Sequence, residues 1–132
     1  MVTLIMNRIN ISSGSPWEDS FGYSRAVKIE NHVYVSGTTA FNDKGTIVGI
    51  DNMYEQTKQV YLNIEQALLK AKSSLDKVIR VRIFVTDISQ WQDVGRAHHK
   101  LFKNIKPAVT LVEVTKLLTP EMLVEIEVDA YI

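Results

Sequence analysis

Two glutamates near the C-terminus, Glu125 and Glu127, are the first candidates for chemistry in this 132-residue sequence. Paired carboxylates divide acid and base roles at a glycosidic bond when they flank that bond from two sides. In an extended strand, these two residues lie about 6.6–7 Å apart at Cα and project in parallel from one face. Parallel projection does not flank a bond, so the spacing argues against a catalytic carboxylate pair.

The other reactive residue types are also poorly arranged for catalysis. His98 and His99 are consecutive, so on a helix their side chains diverge by about 100° and cannot share a metal ion. The serines of residues 12–15 lack the G-x-S-x-G elbow of a nucleophilic serine. Gly37 and Thr38 match no phosphate-loop spacing. Residue types and spacing alone therefore identify no catalytic apparatus.

Composition limits the class of protein. Fifteen Lys and Arg residues balance fifteen Asp and Glu residues, so no global field attracts nucleic acid or anionic lipid. The absence of cysteine excludes disulfides and thiolate chemistry and suits the cytoplasm. The apolar run Val2–Met6 is shorter than a signal-peptide core, and no run is long enough to span a bilayer. We expect a single cytoplasmic domain over residues 1–132, with neither nucleic acid nor a membrane as partner.

Hydrophobic periodicity predicts two helices. Apolar residues repeat at helical spacing over residues 53–71, and Asn52 with Glu55 forms a capping-box pattern at the start of this run. Gln56 falls on the polar face of the predicted helix. A second helix begins near Asp87. Its predicted buried stripe consists of Trp91, Val94, His98, Leu101 and Ile105.

Strand patterns precede, separate and follow these helices. A hairpin is predicted around residues 30–32, with Asn31 as the residue that tolerates positive φ. The order of elements is β-β-(β)-α-β-α-β-β, which one mixed sheet with both helices on one face satisfies. We therefore predict an α+β two-layer sandwich. The predicted strands cover residues 26–29, 33–36, 46–48, 78–86, 106–114 and 123–132.

The sheet face without helices carries a mixed set of charged and aromatic residues. Glu125 and Glu127 alternate with apolar residues along the last strand, whereas Arg80, Arg82 and Phe84 lie on the strand over residues 78–86. If the two strands are neighbours, arginines face carboxylates across them. Two interpretations remain open, a solvated face with charge pairs and a subunit interface.

Several segments, in order along nearly the whole chain, resemble the Rid/YjgF family of reactive-intermediate deaminases. This resemblance implies a chorismate-mutase-like fold and a homotrimer whose helix-free sheet faces form a central barrel, with pockets between subunits. Active members hydrolyse enamines and imines such as 2-aminoacrylate and use no cofactor, so we expect neither a cofactor nor a metal. The segments are GYSRAV (22–27), VYVSGTTA (33–40), EQT and NIEQAL in the first helix, RIFVTDI (82–88), KPAVTLVEV (106–114) and MLVEIEVDA (122–130).

The resemblance also assigns roles to residues. Tyr23 and Glu125 match the tyrosine and the glutamate that position substrate and water, so they are the catalytic candidates. An arginine at the start of the penultimate strand binds the substrate carboxylate bidentately in the family, but Val109 stands at that position here. Gly95 replaces an asparagine that helps line the pocket. The other predicted substrate-binding positions are Gly37, Thr38, Phe84, Thr110 and Leu111.

These departures lead to three hypotheses about function. The first is a deaminase-like protein that acts on an imine or enamine but not on 2-aminoacrylate, because Val109 offers no donor to the carboxylate. Arg25, Arg80 and Arg82 are the residues that could supply this donor from another direction. The second is a trimer that binds an imine or a 2-keto acid without turnover, and the sequence leaves open whether the protein is an enzyme. The third, a translation-inhibitor or ribonuclease role, is disfavoured by the even charge balance and the lack of paired catalytic histidines.

Overall fold

A computed structural model describes residues 7–132, so the apolar run over residues 2–6 lies outside the described residues. Short 3₁₀ turns at Leu75–Lys77 and Ile88–Gln90 precede the fourth strand and the third helix. The strands and α-helices follow one another as β1 (Arg8–Ile11), α1 (Pro16–Phe21), β2 (Ala26–Ile29), β3 (His32–Thr38), α2 (Met53–Lys70), β4 (Val78–Val85), α3 (Trp91–Phe102), β5 (Ala108–Glu113) and β6 (Val124–Tyr131).

The strands form one mixed sheet in the order β1-β2-β3-β6-β4-β5. All neighbouring pairs are antiparallel except β4 and β5, which run parallel. A parallel pair requires a crossover connection, and α3 provides it. The last strand therefore lies in the middle of the sheet, and β5 lies at its edge. The predicted α+β sandwich is confirmed.

The core lies between the sheet and the two long helices. Helix α2 packs on β3 and β6 and also against α3. The apolar side of β6 is buried, as the alternation of its sequence predicts. Val124, Ile126, Val128 and Ala130 form this side of the strand, and Tyr61, Ile64, Leu68, Val94 and Phe102 are among the helix residues that complete the core.

Local sequence signals predict the start of α2 correctly but not the residue with positive φ in the first hairpin. The cap of α2 is confirmed, because the Asn52 side chain accepts a hydrogen bond from the backbone N–H of Glu55 (3.0 Å). In the hairpin between β2 and β3, the residue with positive φ is Glu30 (φ 49°), not Asn31. The prediction at Asn31 was wrong because residue preference does not fix which position of a short turn takes the left-handed conformation.

Two further elements precede residue 26, where the sequence pattern predicts neither a helix nor a strand. Strand β1 pairs with β2 at the edge of the sheet. Helix α1 starts at Pro16, where the Ser15 hydroxyl accepts a hydrogen bond from the N–H of Trp17 (3.3 Å), and it ends at Gly22 with φ 97°. Each element is too short to produce a periodic hydrophobic pattern. Together, β1 and α1 position the backbone that leads into Tyr23.

Gln56 was placed on the polar face of α2, and this prediction is wrong. The residue is fully buried, and its side-chain amide forms hydrogen bonds with the backbone of two loops. The amide nitrogen donates to the carbonyl oxygens of Gly49 (3.1 Å) and Glu121 (2.8 Å), and the amide oxygen accepts from the N–H of Leu123 (2.9 Å). Backbone from two loops crosses this part of the helix, so a polar residue is needed inside.

The predicted stripe of α3 is only partly correct. Val94 is buried, but Trp91 is 52% exposed and Leu101 is 40% exposed, while Ala97 and Phe102 are buried instead. Helical spacing selects one face, but the neighbouring elements decide how much of that face is covered. Trp91 is the first residue of the helix, and Leu101 lines a groove between α2 and α3.

A bulge in β4 moves Ile79 away from the apolar side of the sheet. The register pairs Val78 with Ala130 and Arg80 with Asp129, so Ile79 is an extra residue on its strand. It is 47% exposed, whereas strict alternation along residues 78–86 would place it on the apolar side with Val81 and Ile83. After the bulge, the alternation continues as predicted to Val85.

The side of the sheet opposite the long helices is called the open face below. Arg82 contacts Glu127 (3.5 Å) and Asp129 (3.4 Å) across the β4–β6 pair, which confirms the predicted arginine–carboxylate arrangement. The strand register assigns to the open face Val27, Tyr34, Arg80, Arg82, Phe84, Thr110, Val112, Glu125, Glu127, Asp129 and Tyr131.

Candidate functional site

Strand pairing brings Gly37 and Glu125 together on the open face. The register between β3 and β6 shifts between Val35 and Thr38, which leaves Gly37 inside an irregular stretch of strand. The side chain of Glu125 lies next to this glycine. A Cβ atom on residue 37 would lie 2.8 Å from Oε2 of Glu125. Any residue other than glycine would therefore force this carboxyl group to move.

Arg25 reaches the same glycine from the opposite side. It precedes β2, and its Nη2 atom donates to the carbonyl oxygen of Gly37 (2.5 Å). Its guanidinium carbon lies 5.6 Å from the ring centre of Tyr23, and Nε is buried without a hydrogen-bond partner among the described residues. Burial lowers the pKa of Arg25, and the charges of Tyr23, Glu18 and Glu125 oppose this change. A guanidinium nevertheless remains protonated in proteins.

The carboxyl group of Glu125 is partly buried. Burial raises its pKa above the ordinary value, while Arg25 acts to lower it and Glu127 to raise it. The ion pairs formed among residues 7–132 involve other carboxylates. A carboxyl group with a raised pKa next to a water-accessible surface can exchange protons with a bound molecule.

Glu18 holds the segment that carries Tyr23. It is buried, and its carboxylate accepts from the N–H (3.1 Å) and the hydroxyl (2.6 Å) of Ser13. Its backbone carbonyl accepts from the N–H of Tyr23 (3.0 Å). Burial acts to raise the pKa of Glu18, but hydrogen bonds from Ser13 and Ser12 and the charge of Arg25 hold it below the ordinary value. Sequence reasoning missed this residue, since its partners are known only from the fold.

Phe84 and Thr110 lie on the open face together with Glu125. The register pairs Phe84 with Glu125 across β4 and β6, and it pairs Thr110 with Arg82 across β4 and β5. Paired residues project to the same side of a sheet. The structure therefore brings these two predicted positions to the side of the candidate glutamate.

Val109 and Leu111 project to the other side. They pair with Val81 and Ile83, which belong to the core on the helix side. Leu111 packs against that core, while Val109 is 45% exposed at the edge. Thr38 is buried, and its hydroxyl donates to the carbonyl oxygen of Ser36 (2.8 Å). Within one chain, the residues predicted from the sequence therefore do not line one common cavity.

An open cleft of about 490 Å³ adjoins Tyr23 at the β1–β2 edge. Arg8, Asn10, Glu18, Ser24 and Ser36 are among its lining residues. The described residues contain no group of three or more His, Asp or Glu side chains that could hold a metal ion. Nor does any helix within residues 7–132 have the length and apolarity needed to cross a membrane.

Comparisons with known proteins agree with this fold. The family model described as endoribonuclease L-PSP matches residues 17–132. A RutC family protein of Pyrococcus abyssi is 34% identical over 110 residues, which cover 83% of this chain and 85% of that protein. A Mycobacterium tuberculosis structure of the YjgF/YER057c/UK114 family superposes with a TM-score of 0.86 at 45% identity, covering 96% of this chain and 100% of the other. A Yersinia pestis structure of the conserved Rid protein family superposes with a TM-score of 0.81 at 35% identity. The match covers 93% of this chain and 94% of the other.

The mixed sheet with two main helices is therefore the chorismate-mutase-like α+β fold of the YjgF structures. The chain belongs to the endoribonuclease L-PSP family, which is also called the YjgF or Rid family. The resemblance noted in the sequence is confirmed.

Proposed function

We propose that this chain forms a homotrimer and binds a small imine, enamine or 2-keto acid in pockets between subunits, with deaminase-like chemistry at the C=N bond. The observation that carries the proposal is the carboxyl group of Glu125, which is partly buried, has a raised pKa and lies against Gly37. No cofactor takes part. The balanced charge and the lack of cysteine further favour a cytoplasmic protein with neither nucleic acid nor a membrane as partner.

The division of the predicted site between two sheet faces supports a pocket between subunits. Glu125 and Phe84 lie on the open face, whereas Val109 and Leu111 project to the helix side. A second copy that presents its β5 edge to the open face would unite the two sets. An edge strand has unpaired backbone groups that can take part in such a contact.

The chemistry follows from the carboxyl group. Water adds to the carbon of the C=N bond, Glu125 accepts a proton from that water, and the nitrogen is protonated and leaves as ammonia. The products are the carbonyl compound and ammonia, so one water molecule is consumed per imine. Glu125 suits this exchange because it accepts a proton from water and returns it to the leaving nitrogen, and its raised pKa makes the carboxylate a stronger base than an ordinary glutamate. Tyr23 lies beside Arg25 and orients the substrate.

Val109 limits the range of substrates. Its side chain has no hydrogen-bond donor, so a carboxylate held from the β5 edge loses an interaction of about 1.5–3 kcal/mol. We expect ammonia release from 2-aminoacrylate to stay at the buffer rate when the protein is added. Val109→Arg should bind 2-oxobutanoate more tightly than the wild-type protein does, as measured by calorimetry.

The control for this experiment is Val109→Gln, which adds a long polar side chain without charge. A fast release of ammonia by the wild-type protein that is lost in Glu125→Ala would contradict the proposed limit on substrates. Binding without turnover is the second candidate function, and the missing donor at Val109 favours it. Ammonia release from a panel of other imines distinguishes the two candidates.

A further inference from the structure

We infer that Arg25 is the anion-binding group of this site, and that the ligand is a small carboxylic acid with a carbonyl or imine group whose charge lies on the β2 side of Glu125. This inference rests on the proposed function and specifies the ligand of the same site. It replaces the missing donor at Val109 with a guanidinium that reaches the site from the start of β2.

The hydrogen bonds of Arg25 leave its guanidinium incompletely satisfied. A guanidinium has five N–H donors, and one Nη2 donor binds the carbonyl oxygen of Gly37. The buried Nε atom has no partner among the described residues. Buried donors without partners are rare and cost free energy. The charges of Glu18 and Glu125 offset part of the burial of this cation, but the described residues do not fill its hydrogen-bonding capacity. An anion bound to its terminal nitrogens would fill it.

The neighbouring charges show a difference between two arginines of this region. Arg82 has two carboxylate partners, Glu127 and Asp129, within 3.5 Å. The ion pairs within 4.0 Å among residues 7–132 do not include Arg25, and the nearby Glu18 is already bound by Ser13. Arg25 therefore combines partial burial with a positive charge that is available to a ligand.

The geometry around Gly37 sets the size of the ligand. Arg25 binds the carbonyl oxygen of this glycine, and Glu125 lies against its Cα. Backbone dimensions then place the guanidinium and the carboxyl group roughly 4 to 9 Å apart. A short oxo acid or imino acid spans this distance with its carboxylate at Arg25 and its carbonyl or C=N group at Glu125. The ring of Tyr23, which lies beside the guanidinium of Arg25, bounds one side of this ligand site.

Arg25 holds the carboxylate of such an acid but does not by itself place a water molecule on the carbon of the C=N bond. Anion binding by Arg25 is therefore separable from turnover of 2-aminoacrylate. A carboxylate accepts two parallel N–H donors from a guanidinium, a geometry that an ammonium group cannot reproduce. Lysine at residue 25 should consequently retain only part of the affinity.

Isothermal titration of the full chain tests the inference with 2-oxobutanoate, 4-oxopentanoate and the uncharged butan-2-one as probes. We expect the wild-type protein to bind at least one of the two acids but not butan-2-one. Arg25→Gln should weaken acid binding roughly tenfold to hundredfold. The affinity of Arg25→Lys should lie between the affinities of the wild-type protein and of Arg25→Gln. The matched control is Arg96→Gln, which removes one positive charge from the exposed surface of α3 and should leave the affinity unchanged.

Light scattering and thermal unfolding of each variant establish that assembly and folding are retained, and Arg25→Lys serves if Arg25→Gln does not fold. Acid binding by a folded Arg25→Gln variant at wild-type affinity overturns the inference. So does a wild-type trimer that hydrolyses an imine yet binds neither acid, an outcome that leaves the proposed function standing. A wild-type monomer whose acid binding depends on Arg25 supports the inference and contradicts the proposed trimer instead.

Discussion

At the scale of single residues, the site is defined by a glycine between two charged side chains. Gly37 leaves room for the carboxyl group of Glu125 and offers its carbonyl oxygen to Arg25. Arg25 stabilises the charge of Glu125, but burial outweighs this effect and leaves the pKa of Glu125 raised. The protein therefore holds this carboxyl group in an environment that favours the protonated form.

The raised pKa of Glu125 makes the stability of the protein depend on pH. The unfolded chain titrates near the ordinary value of 4.5, so between that pH and the raised pKa the folded state binds more protons than the unfolded state. The contribution of Glu125 to stability is present below pH 4.5 and is lost as the pH rises through the raised pKa. Urea unfolding from pH 4 to pH 8 should show a smaller decrease in stability for Glu125→Gln than for the wild-type protein.

The exposed Glu121 provides the control for this prediction, because Glu121→Gln changes the net charge equally. A pH dependence that is identical in the wild-type protein and in Glu125→Gln would show that the carboxyl group titrates without effect on folding. A changed dependence in Glu121→Gln alone would assign the effect to net charge.

At the scale of elements, the long helix α2 is held to two loops by one polar side chain. Gln56 bonds to backbone groups of Gly49, Glu121 and Leu123. The segment before β6 is thereby fixed to the helix layer. This contact sets where β6 begins, and Glu125 is the second residue of that strand.

Replacing Gln56 by leucine should destabilise the protein by about 2–4 kcal/mol, because two carbonyl oxygens and one N–H group would be buried without partners. Chemical unfolding measures this change in the free energy of unfolding. Gln66→Leu on the exposed side of α2 is the control and should stay within about 0.5 kcal/mol of the wild-type protein. Equal stability of all three proteins would mean that water replaces the amide contacts.

At the scale of the whole molecule, the open face is the surface on which the proposed trimer depends. Arg82 lies between two carboxylates of β6, and the aromatic residues Tyr34 and Tyr131 are exposed on the same face. Aromatic residues and arginine are enriched at protein interfaces. This composition fits the proposed trimer better than a face left in water.

Charge reversal at Arg82 should weaken assembly. Arg82→Glu places a third negative charge beside Glu127 and Asp129, and the repulsion increases when the face is buried against another subunit. Light scattering over a series of protein concentrations should show dissociation of the variant at concentrations where the wild-type protein is trimeric. Arg96→Glu on the helix layer serves as the control. The proposed assembly would be contradicted by a wild-type protein that is monomeric at micromolar concentration.

The sequence by itself determined the elements with strong local patterns. Alternation defined the buried side of β6, helical spacing defined α2, and Asn52 marked its start. These signals depend on residues two to four positions apart, so they can be recognised without knowledge of the rest of the chain. The motifs from GYSRAV to MLVEIEVDA also identified the family, because several of them occur in the right order.

Tertiary structure alone decided which distant residues meet. Arg25, Gly37 and Glu125 are neighbours because β3 lies between β2 and β6, a strand order that no local pattern encodes. The same holds for Val109, whose parallel pairing with β4 turns it away from Glu125. Pairing between strands depends on the burial of both sheet faces and on the crossover through α3. These are properties of the packed molecule, so the sequence could nominate Tyr23 and Glu125 but could not show that Arg25 joins them.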